Sequence, residues 1–153
     1  MADIIDVPHF PQESETGCLL ACLQMVLAFH GIRRSQTSLA RQLGWQSEIG
    51  LPGSVVARLG SSQLDVYYGS GTLDDLHSWL SRQEPVIVLV QASELPYWSE
   101  EPSQHAVVAV GMDQDHLFML DPTLDDRVLP VPLGDFLLAW EAIDCRYAVL
   151  RMR

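Results

Sequence analysis

The sequence contains no lysine. Its nine basic residues are all arginine and are opposed by twenty acidic residues, which gives a net charge of −11 and a pI near 4.6. A surface this acidic repels the phosphate backbone of nucleic acids and the headgroups of anionic membranes. The arginines form no cluster larger than the pair Arg33 and Arg34. We therefore expect no nucleic-acid partner, whereas basic or neutral peptides are compatible with this charge.

Long apolar runs are also missing. A run such as residues 85–90 is far shorter than the roughly 20 residues that span a bilayer. The N-terminus has no basic start followed by an apolar stretch, so no signal peptide is expected. The composition, 48% hydrophobic and 19% charged, is typical of a globular protein, and 153 residues is the length of one domain. We therefore expect a single domain over residues 1–153, without a membrane segment and cytoplasmic in location.

Cysteine is scarce as well. Three cysteines are too few, and odd in number, for a disulfide framework. Cys18 and Cys22 lie four residues apart, but no second ligand pair with the spacing of a zinc site follows. We expect free thiols, with no metal and no cofactor.

The hydrophobic pattern changes from helical in the first half of the chain to strand-like in the second. Helices are predicted at residues 19–29, 36–43, 52–59, 72–80 and 135–140, and strands at residues 64–68, 86–91, 106–112, 117–120, 128–131 and 147–152. Helices followed by a mainly antiparallel sheet indicate an α+β fold. The helix over residues 19–29 is apolar on nearly every side, so it is expected to be the buried central helix.

Cys18 is predicted to lie in the first turn of this central helix. Unpaired N–H groups and the positive end of the helix dipole stabilise a thiolate there, which lowers the pKa of the thiol and makes it a candidate nucleophile. Position alone also allows an ordinary buried cysteine. For Cys22 and Cys145 we favour that structural interpretation.

A thiol nucleophile needs a histidine base, and His105 is the candidate. It begins an apolar strand, and Asp121 follows the next strand of a predicted hairpin. If the hairpin loop is residues 113–115, residue 107 lies opposite residue 121, and Asp121 becomes the diagonal neighbour of His105 on the same sheet face. An aspartate there could orient the imidazole, although both residues could also simply end their strands. The remaining histidines are interpreted as structural: His9, His30, His77 and His116.

Gln12, six residues before Cys18, could place a side-chain amide beside the Cys18 backbone N–H and complete an oxyanion hole. A segment over residues 92–103, which includes Tyr97 and Trp98, flanks the predicted site. It is predicted to be exposed, either as an ordinary loop or as a segment that shapes access of a substrate.

Two stretches of the sequence resemble the motifs of the C39-like cysteine peptidases, which have a papain-like fold and include bacteriocin-leader peptidases. The first is VPHFPQESETGCLLACLQMVLAFHG, residues 7–31, and the second is QHAVVAVG, residues 104–111, followed by FMLDP, residues 118–122. The resemblance covers about residues 5–150. It implies a papain-like α+β fold whose buried central helix packs on the sheet.

The resemblance further implies a thiol hydrolase of peptide or amide bonds. Carried over by position, Cys18 is the nucleophile, His105 the general base and later the acid, Asp121 the orienting residue and Gln12 the oxyanion donor. The expected partner is a peptide or protein substrate. One departure is Leu19, because the family commonly has glycine after the cysteine. An acyltransferase or deamidase of the same fold, or a peptide-binding module without catalysis, are the alternatives.

Overall fold

The computed structural model describes residues 3–45, 52–98 and 102–153. Within these ranges the chain forms four α-helices and six strands. The helices are α1 (Cys18–Phe29), α2 (Gln36–Leu43), α3 (Leu73–Ser81) and α4 (Leu133–Glu141). The strands are β1 (Leu64–Ser70), β2 (Val86–Gln91), β3 (Gln104–Met112), β4 (His116–Leu120), β5 (Leu129–Pro132) and β6 (Arg146–Met152). The predicted helix after Pro52 is a 3-10 helix, Gly53–Leu59, and a second short 3-10 helix, Ala92–Glu94, follows β2.

The strands form one sheet in the order β1-β6-β2-β3-β4-β5, in which all neighbours are antiparallel. Helix α1 packs against β3, near the middle of this sheet. Nearly all of its side chains from Leu19 to Leu27 are buried, and only Gln24 is half-buried. The prediction of an α+β fold with a buried central helix is therefore confirmed. In the described ranges, no helix is both long enough and apolar enough to cross a membrane.

Local signals account for where the shorter helices begin. The side chain of Ser35 accepts a hydrogen bond from the backbone N–H of Ser38 and so caps α2. Thr72 and Asp75 form a reciprocal capping box at the start of α3. Each arrangement satisfies N–H groups that lack a partner within the helix.

The β3–β4 hairpin contains a bulge that the sequence did not predict. At the tip Met112 pairs with Leu117, one residue out of step with the predicted register. An extra residue, Val110, then restores that register, so that Val108 lies opposite Leu120. The next position along β4 is Asp121, which therefore follows the strand at the level that was predicted.

The N-terminal segment crosses β3 at this bulge. The backbone N–H of Ile5 donates to the carbonyl of Val110 at 2.8 Å. Gly111 permits the close approach, since a Cβ at this position would lie 2.8 Å from the Cδ1 atom of Ile4. From here the chain runs towards the end of β4, where the predicted site residues lie.

Candidate active site

Cys18 is the first residue of α1, and Gly17 is its N-cap. The loop before it turns tightly, because the N–H of Gly17 donates to the carbonyl of Ser14 at 3.1 Å. The sulfur receives backbone N–H hydrogen bonds from Leu19 and from Ala106 on β3. Cys18 thus lies where α1 meets β3, and it remains partly exposed.

The three thiols differ in their electrostatic surroundings. Burial raises the pKa of Cys18, but the hydrogen bond with His105 and the positive charge of that ring outweigh burial and lower it overall. Burial, together with the charges of Cys18 and Asp121, raises the pKa of Cys22 well above its ordinary value. Partial burial and two nearby carboxylates raise the pKa of Cys145. Cys18 is therefore the thiol most readily ionised near neutral pH.

His105 joins Cys18 to Asp121. Its Nε2 atom lies 2.8 Å from Oδ1 of Asp121, and its side chain is also hydrogen-bonded to Cys18. Burial lowers the pKa of the ring, but the hydrogen bonds and charges of Asp121 and Cys18 raise it to about 9. At neutral pH these surroundings favour an imidazolium beside a thiolate. Because the two groups interact, the titration of each depends on the charge of the other.

Asp121 is fully buried at the end of β4, and four hydrogen bonds satisfy its carboxylate. Oδ1 accepts the His105 bond and two more from Thr123, from its hydroxyl at 2.6 Å and from its N–H at 2.9 Å. Oδ2 accepts one from the Tyr97 hydroxyl at 2.5 Å. Burial raises the pKa of Asp121, but the bond and charge of His105, with those from Thr123 and Tyr97, lower it to about 2. The carboxylate is thus held ionised and in one orientation.

Gln12 lies beside the same turn. Its backbone N–H donates to the carbonyl of Pro122 at 2.9 Å. Its side-chain nitrogen donates to the carbonyls of Ser14 at 2.8 Å and Glu15 at 3.2 Å, in the loop that leads to Cys18. Its Oε1 atom is buried and has no hydrogen-bond partner among the described residues. The structure thus brings Gln12 to the loop before Cys18, with its amide bonded to that loop.

Leu19, the departure from the family pattern, lies in the hydrophobic core, and only 5% of it is exposed. The side chain therefore packs almost entirely in the core, and little of it is exposed to solvent beside Cys18.

Sequence reasoning missed several contacts around Asp121. Residues 92–103 were predicted to be exposed, but Ala92 and Leu95 are buried, and Tyr97 bonds to Asp121. The ring of Trp98 lies 5.1 Å from that of His105, centroid to centroid. Residues 99–101 of this segment lie outside the described residues. The aromatic pair Tyr97 and Trp98 was visible in the sequence, but nothing local marked it as a neighbour of His105 and Asp121.

The other four histidines are not among the side-chain partners of Cys18 or Asp121. His9 forms a hydrogen bond through Nε2 with the backbone carbonyl of Asp121 at 3.0 Å, and His30 forms one with the carbonyl of Leu150 at 2.7 Å. His77 is exposed on α3, and His116 stands at the hairpin tip, where its ring faces Asp113. Of these four, His9 lies near the site, where it ties the N-terminal segment to the Asp121 turn.

Comparisons with known proteins agree with this architecture. A predicted C39-like peptidase from Bacillus anthracis is 18% identical, with a TM-score of 0.78, over 100% of this chain and 98% of that one. The peptidase domain of Streptococcus ComA, a bifunctional ABC transporter involved in quorum sensing, is 17% identical, with a TM-score of 0.72, over 96% and 98%. The double-glycine-motif protease of an AMS/PCAT transporter, solved with its leader peptide, is 16% identical, with a TM-score of 0.72, over 98% and 94%.

These likenesses show a papain-like fold. No curated protein matches the sequence. The model of the Peptidase C39 like family matches residues 4–148, which is nearly the whole chain. The chain therefore belongs to the C39-like peptidase family.

Proposed function

We propose that this protein is a cysteine peptidase with Cys18 as its nucleophile, His105 as general base and acid, and Asp121 as the residue that orients the imidazole. The observation that carries the proposal is the continuous hydrogen-bonded chain from Cys18 through His105 to Asp121, at the start of a buried helix. Its electrostatics support a thiolate–imidazolium pair, which is the reactive form of a thiol nucleophile.

In this mechanism the thiolate of Cys18 attacks the carbonyl carbon of a peptide bond. A C–S bond forms, and the carbonyl π electrons move to the oxygen. The imidazolium of His105 then gives its proton to the amine nitrogen as the C–N bond breaks. Water next attacks the acyl-enzyme, His105 takes a proton from it, and the C–S bond breaks to release the acid and restore the thiolate.

Gln12 is the proposed side-chain donor to the oxyanion, together with a backbone N–H at the start of α1. The Cys18 N–H is at a helix position that has no acceptor within the helix. One N–H of Gln12 must turn from the carbonyl of Glu15, its longer bond at 3.2 Å, towards the substrate oxygen. The bond to Ser14, at 2.8 Å, ties the same amide to the loop that leads to Cys18.

The proposed substrate is a peptide or protein. One structurally similar protease was solved with a leader peptide, and the net charge of −11 is compatible with basic or neutral chains. Leu19 does not argue against catalysis, because its side chain is almost wholly buried.

Thiol labelling tests the proposal directly. We expect iodoacetamide at neutral pH to modify Cys18 selectively and to about one label per chain, as mapped by mass spectrometry. The label should disappear in Cys18→Ala and persist in Cys145→Ala, a matched control at the other partly exposed thiol. Labelling of wild-type protein at Cys145 instead would contradict the assignment.

A peptide-library digest then tests the reaction. Hydrolysis predicts new peptide termini that depend on Cys18. Transfer to an added amine, or conversion of a glutamine amide to an acid, would indicate a transferase or deamidase instead. A stable complex with unprocessed peptide despite an intact, reactive Cys18 would indicate a binding module.

A further inference from the structure

Three polar or charged residues are buried in the described part of the chain: His105, Asp121 and Gln36. The first two form the proposed catalytic pair. Gln36 is the first residue of α2, outside that pair, and only 4% of it is exposed. Since a buried amide is costly unless it is hydrogen-bonded, the partners of Gln36 indicate what it holds together.

Gln36 bonds to both neighbours of Gln12. Its side-chain nitrogen donates to the carbonyl of Pro11 at 2.9 Å, and its Oε1 accepts from the N–H of Glu13 at 3.1 Å. These partners fix which end of the amide faces which group, because a backbone carbonyl can only accept and an N–H can only donate. Gln36 therefore holds the backbone on both sides of Gln12.

The same amide also reaches α1. The Gln36 nitrogen donates to Oε1 of Gln24 at 2.9 Å, and Gln24 lies on the helix that begins with Cys18. On its other side, Gln12 is held by its own N–H to Pro122, next to Asp121. The position of Gln12 is thus set from two directions, from α1 through Gln36 and from the end of β4 through Pro122.

We propose that Gln36 is a positioning residue for the oxyanion hole, which fixes Gln12 relative to Cys18. This inference rests on the proposed function, in which Gln12 donates to the oxyanion. Loss of an oxyanion donor typically slows a reaction by about 10²–10³-fold, and a displacement of about 1 Å can cost about 10²-fold. Because Gln36 acts through Gln12, we expect Gln36→Leu to slow acylation of Cys18 by about 10- to 100-fold.

The p-nitrophenyl ester of N-acetylglycine is a suitable probe. The thiolate attacks the ester carbonyl, the C–S bond forms, the C–O bond breaks, and p-nitrophenolate leaves with an absorbance burst. In Gln36→Leu the maximal acylation rate should fall. The ester concentration at which acylation reaches half of its maximal rate should change little. Alkylation by iodoacetamide is displacement at a saturated carbon and forms no oxyanion. Its rate at Cys18 should therefore stay within about threefold of wild type.

Two comparisons separate positioning from a general structural effect. The first is Gln42→Leu. Gln42 lies on the same helix as Gln36, but it is exposed and bonds to Arg34 and the carbonyl of Arg58. The acylation rate of this variant should therefore equal that of wild type. In a Gln12→Ala background, adding Gln36→Leu should slow acylation less than about threefold, because the donor that it positions is already gone.

The inference would be overturned if Gln36→Leu were acylated as fast as Gln42→Leu. It would also be overturned if Gln36→Leu slowed acylation by the same factor in the wild-type and the Gln12→Ala backgrounds. If Gln36→Leu does not fold, Gln24→Leu removes the tie to α1 from the other side and is held to the same criteria. A wild-type protein that is alkylated at Cys18 but never acylated would overturn the proposed function and this inference together. A wild type that acylates, with no effect of Gln36, would overturn the inference alone.

Discussion

Replacing Asp121 by asparagine tests the electrostatic coupling on which the proposed mechanism depends. The side chain keeps its size but loses the charge that faces Nε2 of His105 at 2.8 Å. The pKa of His105 is raised from 6.5 to about 9. At about 1.4 kcal/mol per pKa unit, this rise corresponds to about 3 kcal/mol in favour of the imidazolium, which is what remains of the effects of Asp121 and Cys18 after the opposing cost of burial. We expect the pKa of His105 in Asp121→Asn to fall by about 1 to 2 units.

The sign at Cys18 is opposite. The hydrogen bond and charge of His105 lower the pKa of Cys18, so a less stable imidazolium raises it. The rate of Cys18 alkylation by iodoacetamide, measured from pH 4 to 10, reports the thiolate. In wild type its midpoint should lie below that of a free thiol, about 8.5. In Asp121→Asn the midpoint should rise by about one pH unit, and at a pH well below the wild-type midpoint the rate should fall by about tenfold.

Asp125→Asn is the matched control. Asp125 is a carboxylate on the same loop, but it is exposed and paired with Arg127, so its variant should keep the wild-type profile. The histidine Hε1 signals in a proton NMR titration give an independent measurement, with one wild-type histidine titrating near pH 9. An alkylation midpoint in Asp121→Asn equal to that of wild type would refute the coupling, and with it the assignment of Asp121 as the orienting residue.

Two further substitutions are expected to separate positioning from packing. Tyr97→Phe removes the hydrogen bond to Oδ2 of Asp121, so the less satisfied carboxylate holds the His105 proton more strongly. The alkaline limb of the hydrolysis–pH profile should therefore move to higher pH, opposite to the shift in Asp121→Asn. Urea unfolding should show that the free energy of unfolding falls by about 1–3 kcal/mol. Leu19→Ala should lower the free energy of unfolding by about 2–5 kcal/mol, because the side chain lies in the core. The rate of Cys18 alkylation should stay within about threefold of the wild-type rate. A tenfold faster alkylation would instead show that Leu19 shields the thiol.

Strong periodic patterns explain why much of the fold could be predicted. Helix α1 is apolar on nearly all sides, and a helix of that kind has no alternative to the centre of the fold. Helices α2 and α3 carry serine and threonine caps that set where they begin. The position of Asp121 relative to His105 was also predicted, but from a hairpin loop that differs from the one observed. The bulge at Val110 compensates for that difference.

Contacts between distant loop residues could not be predicted in the same way. Tyr97 reaches Asp121 across 24 positions, and Gln36 reaches Pro11 across 25. Neither residue belongs to a periodic apolar pattern, and a glutamine in the first turn of a short amphipathic helix is more often exposed than buried. Such contacts arise only after the sheet and α1 have brought the loops together, so the sequence around each residue carries no record of its partner.

The β-bulge connects these observations, because it serves both halves of the proposed site. By inserting Val110, it sets the register that brings Asp121 to the level of His105. The carbonyl of the same inserted residue accepts from Ile5 and so anchors the start of the N-terminal segment. That segment then continues to Gln12, whose backbone bonds to Pro122 at the end of β4. A one-residue irregularity in β3 therefore aligns His105 with Asp121 and also begins the path that brings the proposed oxyanion donor to the loop before Cys18.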